Sequence, residues 1–187
     1  MIEHIVQLDR HLFHFINHDM GNSFFDWLMP ILRNALAWIP LYVIIIALCL
    51  WKYKKQGIII VVGIALSAGI ADFTSARFVK PEVHRLRPCN DSTMVDVKPR
   101  INNCGTGYSF PSTHATDHFA MAIFMCFVFY KRWKWIWLWA ILWAALISFA
   151  QVYVGVHFPV DVFVGALYGA LVGWLLSLLF KKIKPKF

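Results

Sequence analysis

Five apolar stretches, at 37–50, 57–78, 115–130, 135–156 and 160–180, limit what this chain can fold into more than any other feature. Each carries few or no full charges, and most approach the roughly 20 residues that a helix needs to cross a bilayer. A chain of 187 residues that is 59% hydrophobic and 15% charged does not have the composition of a soluble domain. The expected fold is therefore an all-α, polytopic transmembrane helical bundle, one membrane-embedded domain over residues 1–187.

The net charge of +8 would suggest nucleic acid in a soluble protein, but here its distribution matters more. Lys52, Lys54 and Lys55 separate the first two stretches, Lys131, Arg132 and Lys134 the third and fourth, and Lys181, Lys182, Lys184 and Lys186 follow the fifth. By the positive-inside rule these three places are cytoplasmic, which puts 80–111, the turn before His157 and residues 1–35 on the outer side. Membrane lipids, not nucleic acid, are the expected surroundings. Trp133, Trp135, Trp137 and Trp139 read as an aromatic belt at one cytoplasmic edge.

Residues 2–18 have helical apolar spacing but are too polar to span, which predicts a helix at the interface, broken at 17–22 with Gly21 as the turn. A second amphipathic segment, 24–33, leads into the first span near Trp38. Hydropathy leaves open whether 5–33 inserts as a sixth span; the lysine pattern favours five. No basic start and apolar core follow Met1, so the first span is expected to do the targeting. Cys49 and Cys126 lie in apolar stretches as packing residues, whereas Cys89 and Cys104 share the outer loop and are expected to pair if that side is oxidising. Asp72 is expected to pair with Arg77 or Lys80 near the outer end of the second span.

The long polar segment 80–110 is where function is expected. It opens on Lys80, with His84, Arg85 and Arg87-Pro88 following. Cationic groups so close together repel one another unless an anion sits among them, and phosphate suits both the planar fork of arginine and the point charge of lysine. Pro111-Ser112-Thr113-His114 stands where the third span begins, with Ser112 or Thr113 as its cap and exposed amides attractive to an anion. In Val-Gly-Val-His157-Phe-Pro159-Val-Asp161, the proline suits the first position of a helix, His157 falls just outside it, and Asp161 in the first turn can reach back to the imidazole. A carboxylate-held histidine suits a nucleophile or base. A metal site built from His84, His114, His118 and His157 is the competing chemistry, with no cysteine pair beside them to support it. Asp117 and His118, one turn into the third span, suit a lipid headgroup and the bundle interior equally.

The order Lys-x6-Arg-Pro, Pro-Ser-x-His and His-x3-Asp, running from Lys80 to Asp161, resembles the type 2 phosphatidic-acid phosphatase family. The resemblance implies a helical-bundle membrane enzyme that cleaves a lipid phosphomonoester or diphosphate without metal or other cofactor. It makes His157 the nucleophile, Asp161 its orienting group and His114 the acid for the leaving group. Lys80, Arg87, Ser112 and amides near Thr113 would hold the phosphoryl oxygens. Two positions depart from the family pattern: its glycine is Thr113, and its Ser-Arg is Ala150-Gln151, so Gln151 brings amide donors without charge. Arg85 or Arg77 are the candidates to fill that gap. Undecaprenyl diphosphate is the favoured substrate, ahead of phosphatidylglycerol phosphate, phosphatidate and lipid A phosphates, in an inner membrane with the site facing outward. Phosphotransfer to another acceptor, or lipid binding without catalysis, are the rival activities.

Overall fold

The computed structural model describes residues 2–183, and no strand occurs among them; Lys184 and Lys186 of the third basic cluster lie outside the described residues. Helix α1 (Ile2–His14) continues through a π-helical turn, Phe15–Asp19. Helix α2 (Ser23–Arg33) starts where the Asn22 side chain accepts from the Phe25 amide at 2.9 Å, satisfying one of the first-turn donors. A 3-10 turn, Ala35–Trp38, leads into α3 (Ile39–Tyr53). Helix α4 (Lys55–Thr74) runs through a second π-helical turn into the short α5 (Lys80–Val83). The long loop ends at α6 (Thr113–Phe129), followed by α7 (Ile136–Tyr153) and α8 (Pro159–Ile183).

Four helical runs are long and apolar enough to cross a membrane: Ala35–Tyr53, Lys55–Val83, Ile136–Tyr153 and Pro159–Ile183. The expected third span is the exception. It folds as α6, 17 residues long, packed against α4, α7 and α8 with most of its side chains buried. A helix enclosed by its neighbours needs no continuous apolar surface, which is why Thr116 and His118 are tolerated within it. Helices α1 and α2, of 13 and 11 residues, fall short of a span, so the sixth crossing that hydropathy left open is not formed by them.

The closest helix packing joins α6 to α8, and it depends on a stripe of glycines four residues apart. A Cβ on Gly169 would stand 2.0 Å from the Thr116 carbonyl oxygen, and one on Gly173 would stand 2.2 Å from that of Ala120. In a bilayer, where apolar surface alone does not drive helices together, such small-residue stripes let backbones approach. Because α6 begins at Thr113 and α8 at Pro159, the spacing of these helices also sets the distance between the segments that carry His114 and His157. Gly169→Val is expected to destabilise the fold by about 3 kcal/mol through overpacking, seen as a lower Tm in detergent. Gly69, with open space around its Cβ position, serves as the control: Gly69→Ala should leave Tm unchanged or slightly raised.

The basic clusters gather at one end of the bundle. The Arg132 guanidinium lies 5.6 Å from the Tyr53 ring centroid, and the Lys181 ammonium 5.0 Å from that of Phe127. At the other end the N-terminal helices are tied to the loop and to α7. Buried Asn17 donates to the carbonyls of Lys98 (3.0 Å) and Tyr153 (2.8 Å) and accepts from the Lys98 amide (2.9 Å). Arg100 pairs with Asp26 and lies 4.3 Å over the Tyr153 ring, whose hydroxyl donates to Asp26 at 2.7 Å. Bonding to Tyr153 and Arg100 together holds the Asp26 carboxyl below its ordinary pKa. Cys89 and Cys104 form the expected disulfide, with Cα atoms 6.3 Å apart, while Cys49 and Cys126 are buried and free. The expected partner of Asp72 is not found: Asp72 and Arg77 are both exposed, and no ion pair joins Asp72 to Arg77 or Lys80 among the described residues. The Lys80 ammonium instead donates to the Tyr108 carbonyl at 3.1 Å.

Candidate active site

His157 lies in the turn between α7 and α8, wholly enclosed apart from 2% of its surface. Gly155 makes this turn, with φ at +90°, a value that L side chains rarely adopt. The amides of Val156 and His157 both reach the Gln151 carbonyl, at 3.2 and 3.3 Å, which closes the turn back onto the end of α7. Pro159 then starts α8, as its fixed φ favours. Asp161, in the first turn, accepts from the Phe158 amide at 2.8 Å, the backward bond of a capping box.

The imidazole and carboxylate do not meet directly, because a serine stands between them. His157 Nδ1 is 3.7 Å from Asp161 Oδ2, whereas Ser109 Oγ is 3.4 Å from Nδ1 and donates to Oδ2. The other carboxylate oxygen takes a 2.7 Å bond from Arg85, whose second nitrogen pairs with Asp9 of α1 at 2.5 Å. Asp9 in turn accepts from the Val160 amide at 2.8 Å, at the start of α8. Arg85 lies 3.9 Å over the Phe158 ring, so it is fixed by charge on two sides and by a π face on a third. Two buried carboxylates sharing one guanidinium in this way have their charge met locally. Burial pushes the Asp9 carboxyl above its ordinary pKa, with the Arg85 bond acting in the opposite sense.

Arg85 is therefore committed to carboxylates, and Arg77 is exposed on the turn after α4. Neither fills the place left by Gln151, against expectation, because each has its environment settled elsewhere. Ser109, Arg85 in this role and Asp9 carry no local motif. Ser109 reaches the site because its amide bonds to the Arg85 carbonyl at 2.7 Å and its neighbour Tyr108 accepts from Lys80, lacing segment 108–112 between the two cations and Asp161.

Around this core stand the other residues singled out by spacing. Lys80 and Arg87 are both half-buried and close enough for their charges to act on His157. Arg87 donates from Nη1 to the Cys104 carbonyl at 2.8 Å, and its Nε is buried without a partner. Burial lowers the pKa of its guanidinium from the ordinary value. Ser112 is the cap of α6 (Ala115 N to Oγ, 3.5 Å), and its amide bonds to the Asp161 carbonyl at 3.0 Å, joining the starts of α6 and α8. Thr113 is half-buried at the first position of α6. His114, half-buried one residue on, feels the charges of His157 and Arg87. Gln151 is fully buried, and neither its amide oxygen nor its nitrogen has a partner.

Burial pulls the His157 pKa down to about 4, against the nearby Asp161 carboxylate, which acts the other way. The ring is accordingly neutral at physiological pH. With Nδ1 turned to Ser109 and Asp161, Nε2 is the nitrogen available to an electrophile.

His118 belongs to the bundle interior: it bonds to Tyr42 at 3.2 Å and to the His114 carbonyl at 2.7 Å, and its ring is 5.0 Å from Trp143. His84 meets the Tyr108 ring edge to face, 4.6 Å between ring centroids. Among the described residues, the set His84, His114, His118 and His157 therefore brings no three ligand atoms together as a metal site would.

The helical bundle thus brings two histidines, a carboxylate and several cations to one end. This chain belongs to the PAP2 superfamily, whose family model matches residues 56–185. It is 35% identical over 136 residues to a lipid A 4'-phosphatase of Bacteroides thetaiotaomicron and 28% identical over 130 residues to one of Porphyromonas gingivalis. These matches cover 71% and 68% of the chain but 60% and 55% of those relatives, so the chain spans little more than half of their length. In structure it is similar to a transmembrane PAP2-type phosphatidylglycerolphosphate phosphatase of Bacillus subtilis, with a TM-score of 0.74 at 22% identity over 98% of this chain and 89% of that one. It is also similar to LpxE of Aquifex aeolicus, with a TM-score of 0.65 at 28% identity over 90% and 93%.

Proposed function

We propose that the chain is a membrane lipid phosphatase that removes a phosphomonoester from a lipid A-type glycolipid. The observation that carries the reading is His157, neutral and buried, backed by Ser109 and Asp161 and facing the charges of Lys80 and Arg87. In this reading Nε2 of His157 attacks phosphorus and the bond to the lipid oxygen breaks. His114, protonated when the anionic phosphate lies beside it, gives that oxygen its proton, so the lipid alcohol leaves and the phosphoryl group stays on His157. Water, losing a proton to His114, then breaks the P–N bond and releases inorganic phosphate, which restores both imidazoles. Lys80 and Arg87 offset the charge of the transferring group throughout. Metal is not required for any of these steps.

The named relatives favour a lipid A 4'-phosphate over the undecaprenyl diphosphate suggested by the motifs alone. The positive-inside distribution supports an outward-facing site in the bacterial inner membrane. Purified protein is expected to release inorganic phosphate from lipid A bearing a 4'-phosphate faster than from lipid A bearing the 1-phosphate alone, from phosphatidylglycerol phosphate or from undecaprenyl diphosphate. Faster release from one of the others would reassign the substrate; release from none would refute the enzymatic reading.

A further inference from the structure

We propose that Arg33, at the end of the interfacial helix α2, is a phosphate-binding residue that stands in for the arginine that Gln151 replaces. The proposal rests on the lipid phosphatase reading and deepens it. Residue 33 lies outside the stretch that matches the family, 56–185, and belongs to none of the three motifs.

Helix α2 lies along α7 with a definite register. Asp26 takes the Tyr153 hydroxyl bond, Met29 is buried in a cluster with Ala150, Tyr153 and Val154, and beyond the helix the Trp38 ring meets that of Trp143 at 6.0 Å. The helix therefore descends α7 from its end inward. Arg33 is four residues beyond Met29, on the same face, at the level of α7 below Tyr153. On that part of α7 the buried polar groups Gln151 and Ser148 have no partner. Arg33 Nε is also buried and unpartnered, and no hydrogen bond or ion pair of its side chain occurs among the described residues.

A buried cation and buried amide groups left unsatisfied are costly unless something polar meets them. The charges present specify its sign. Arg33 acts electrostatically on Arg87 and on His114, so three cationic or protonatable groups lie within electrostatic range, with no carboxylate paired to Arg33 among the described residues. Burial first, and then the charge of Arg87, lower the Arg33 pKa from its ordinary value, as expected of a guanidinium waiting for an anion. Gln151 then contributes its amide donors and Arg33 the charge, a division that one arginine on α7 would combine. Placing the cation on α2 also makes an interfacial helix part of the headgroup site.

Phosphate affinity and turnover of detergent-purified wild type, Arg33→Gln, Arg33→Lys, Gln151→Arg and the double variant Arg33→Gln/Gln151→Arg test this. Affinity is read with inorganic phosphate by thermal shift, and turnover with lipid A 4'-phosphate. Arg33→Gln should weaken phosphate binding and lower kcat/KM at least tenfold, and Arg33→Lys less than Arg33→Gln. Gln151→Arg should gain little alone but restore at least tenfold in the Arg33→Gln background, an outcome that a purely structural role of Arg33 would not produce. Unchanged phosphate affinity in Arg33→Gln, or no restoration in a folded double variant, would overturn the assignment. If no tested lipid phosphate is turned over by wild type, the enzymatic reading fails, while the phosphate titrations still decide for or against Arg33.

Discussion

His157→Ala is expected to lower phosphate release by at least about four orders of magnitude, with the bundle intact and lipid binding retained. The loss is this large because an alanine leaves nothing to form the covalent intermediate, and Ser109, though close, is held by the Asp161 carboxylate. Phosphate release should be measured beside a lipid-binding assay and a melting curve; a variant that still turns over at more than a hundredth of the wild-type rate would remove His157 from its assigned place. The wild-type pH profile belongs to the same test. An imidazole with a pKa of about 4 is already unprotonated at neutral pH, so this group costs no activity until the pH drops below about 4, where the rate should fall about tenfold per pH unit. Stability follows the same sign. In the unfolded chain the ring takes a proton near pH 6.5, while the folded chain resists it down to about 4. The contribution is therefore present above pH 6.5 and is lost as the pH falls through that window.

Asp161→Ala should be nearly as damaging, but in both activity and stability. One carboxylate receives Arg85 and Ser109 and caps α8 through the Phe158 amide. Removing it leaves Arg85, half-buried over Phe158, with Asp9 as its remaining ion-pair partner, and frees the Ser109 hydroxyl that fills the gap to His157. Breaking a buried pair from one side costs about 3–5 kcal/mol, and loss of the group that orients a nucleophile or base costs about 10²–10⁴-fold in rate. Asp161→Asn, which keeps the shape, should recover much of the stability and little of the rate. If Asp161→Asn matches wild type in kcat, the carboxylate serves the fold and not the histidine.

The amphipathic interval over 2–18, its break before Gly21 and the start of α8 at Pro159 were all legible in the chain, because periodicity, turn formers and a prolyl φ act within a few residues. So were the grouping of Cys89 with Cys104 and the order of the three motifs, since each motif is a local spacing. Gly165, Gly169 and Gly173 gain their meaning only from the α6 backbone they approach. The enclosure of helix α6 was not legible: hydropathy reads a span wherever apolar residues run on, and it is blind to whether lipid or protein covers them.

Ser109, Asp9 and the pairing of Arg85 with two carboxylates could not have been found in this way. Ser109 meets Asp161 across 52 positions and Arg85 meets both Asp9 and Asp161 across 76. The sequence by itself determined the helices, the membrane-spanning class and the motif residues, through interactions that operate within one or two turns. Which serine separates His157 from Asp161 and which arginine two carboxylates claim were decided only by tertiary packing, because a charge is paired or left free by what the fold brings beside it and not by its neighbours in the chain.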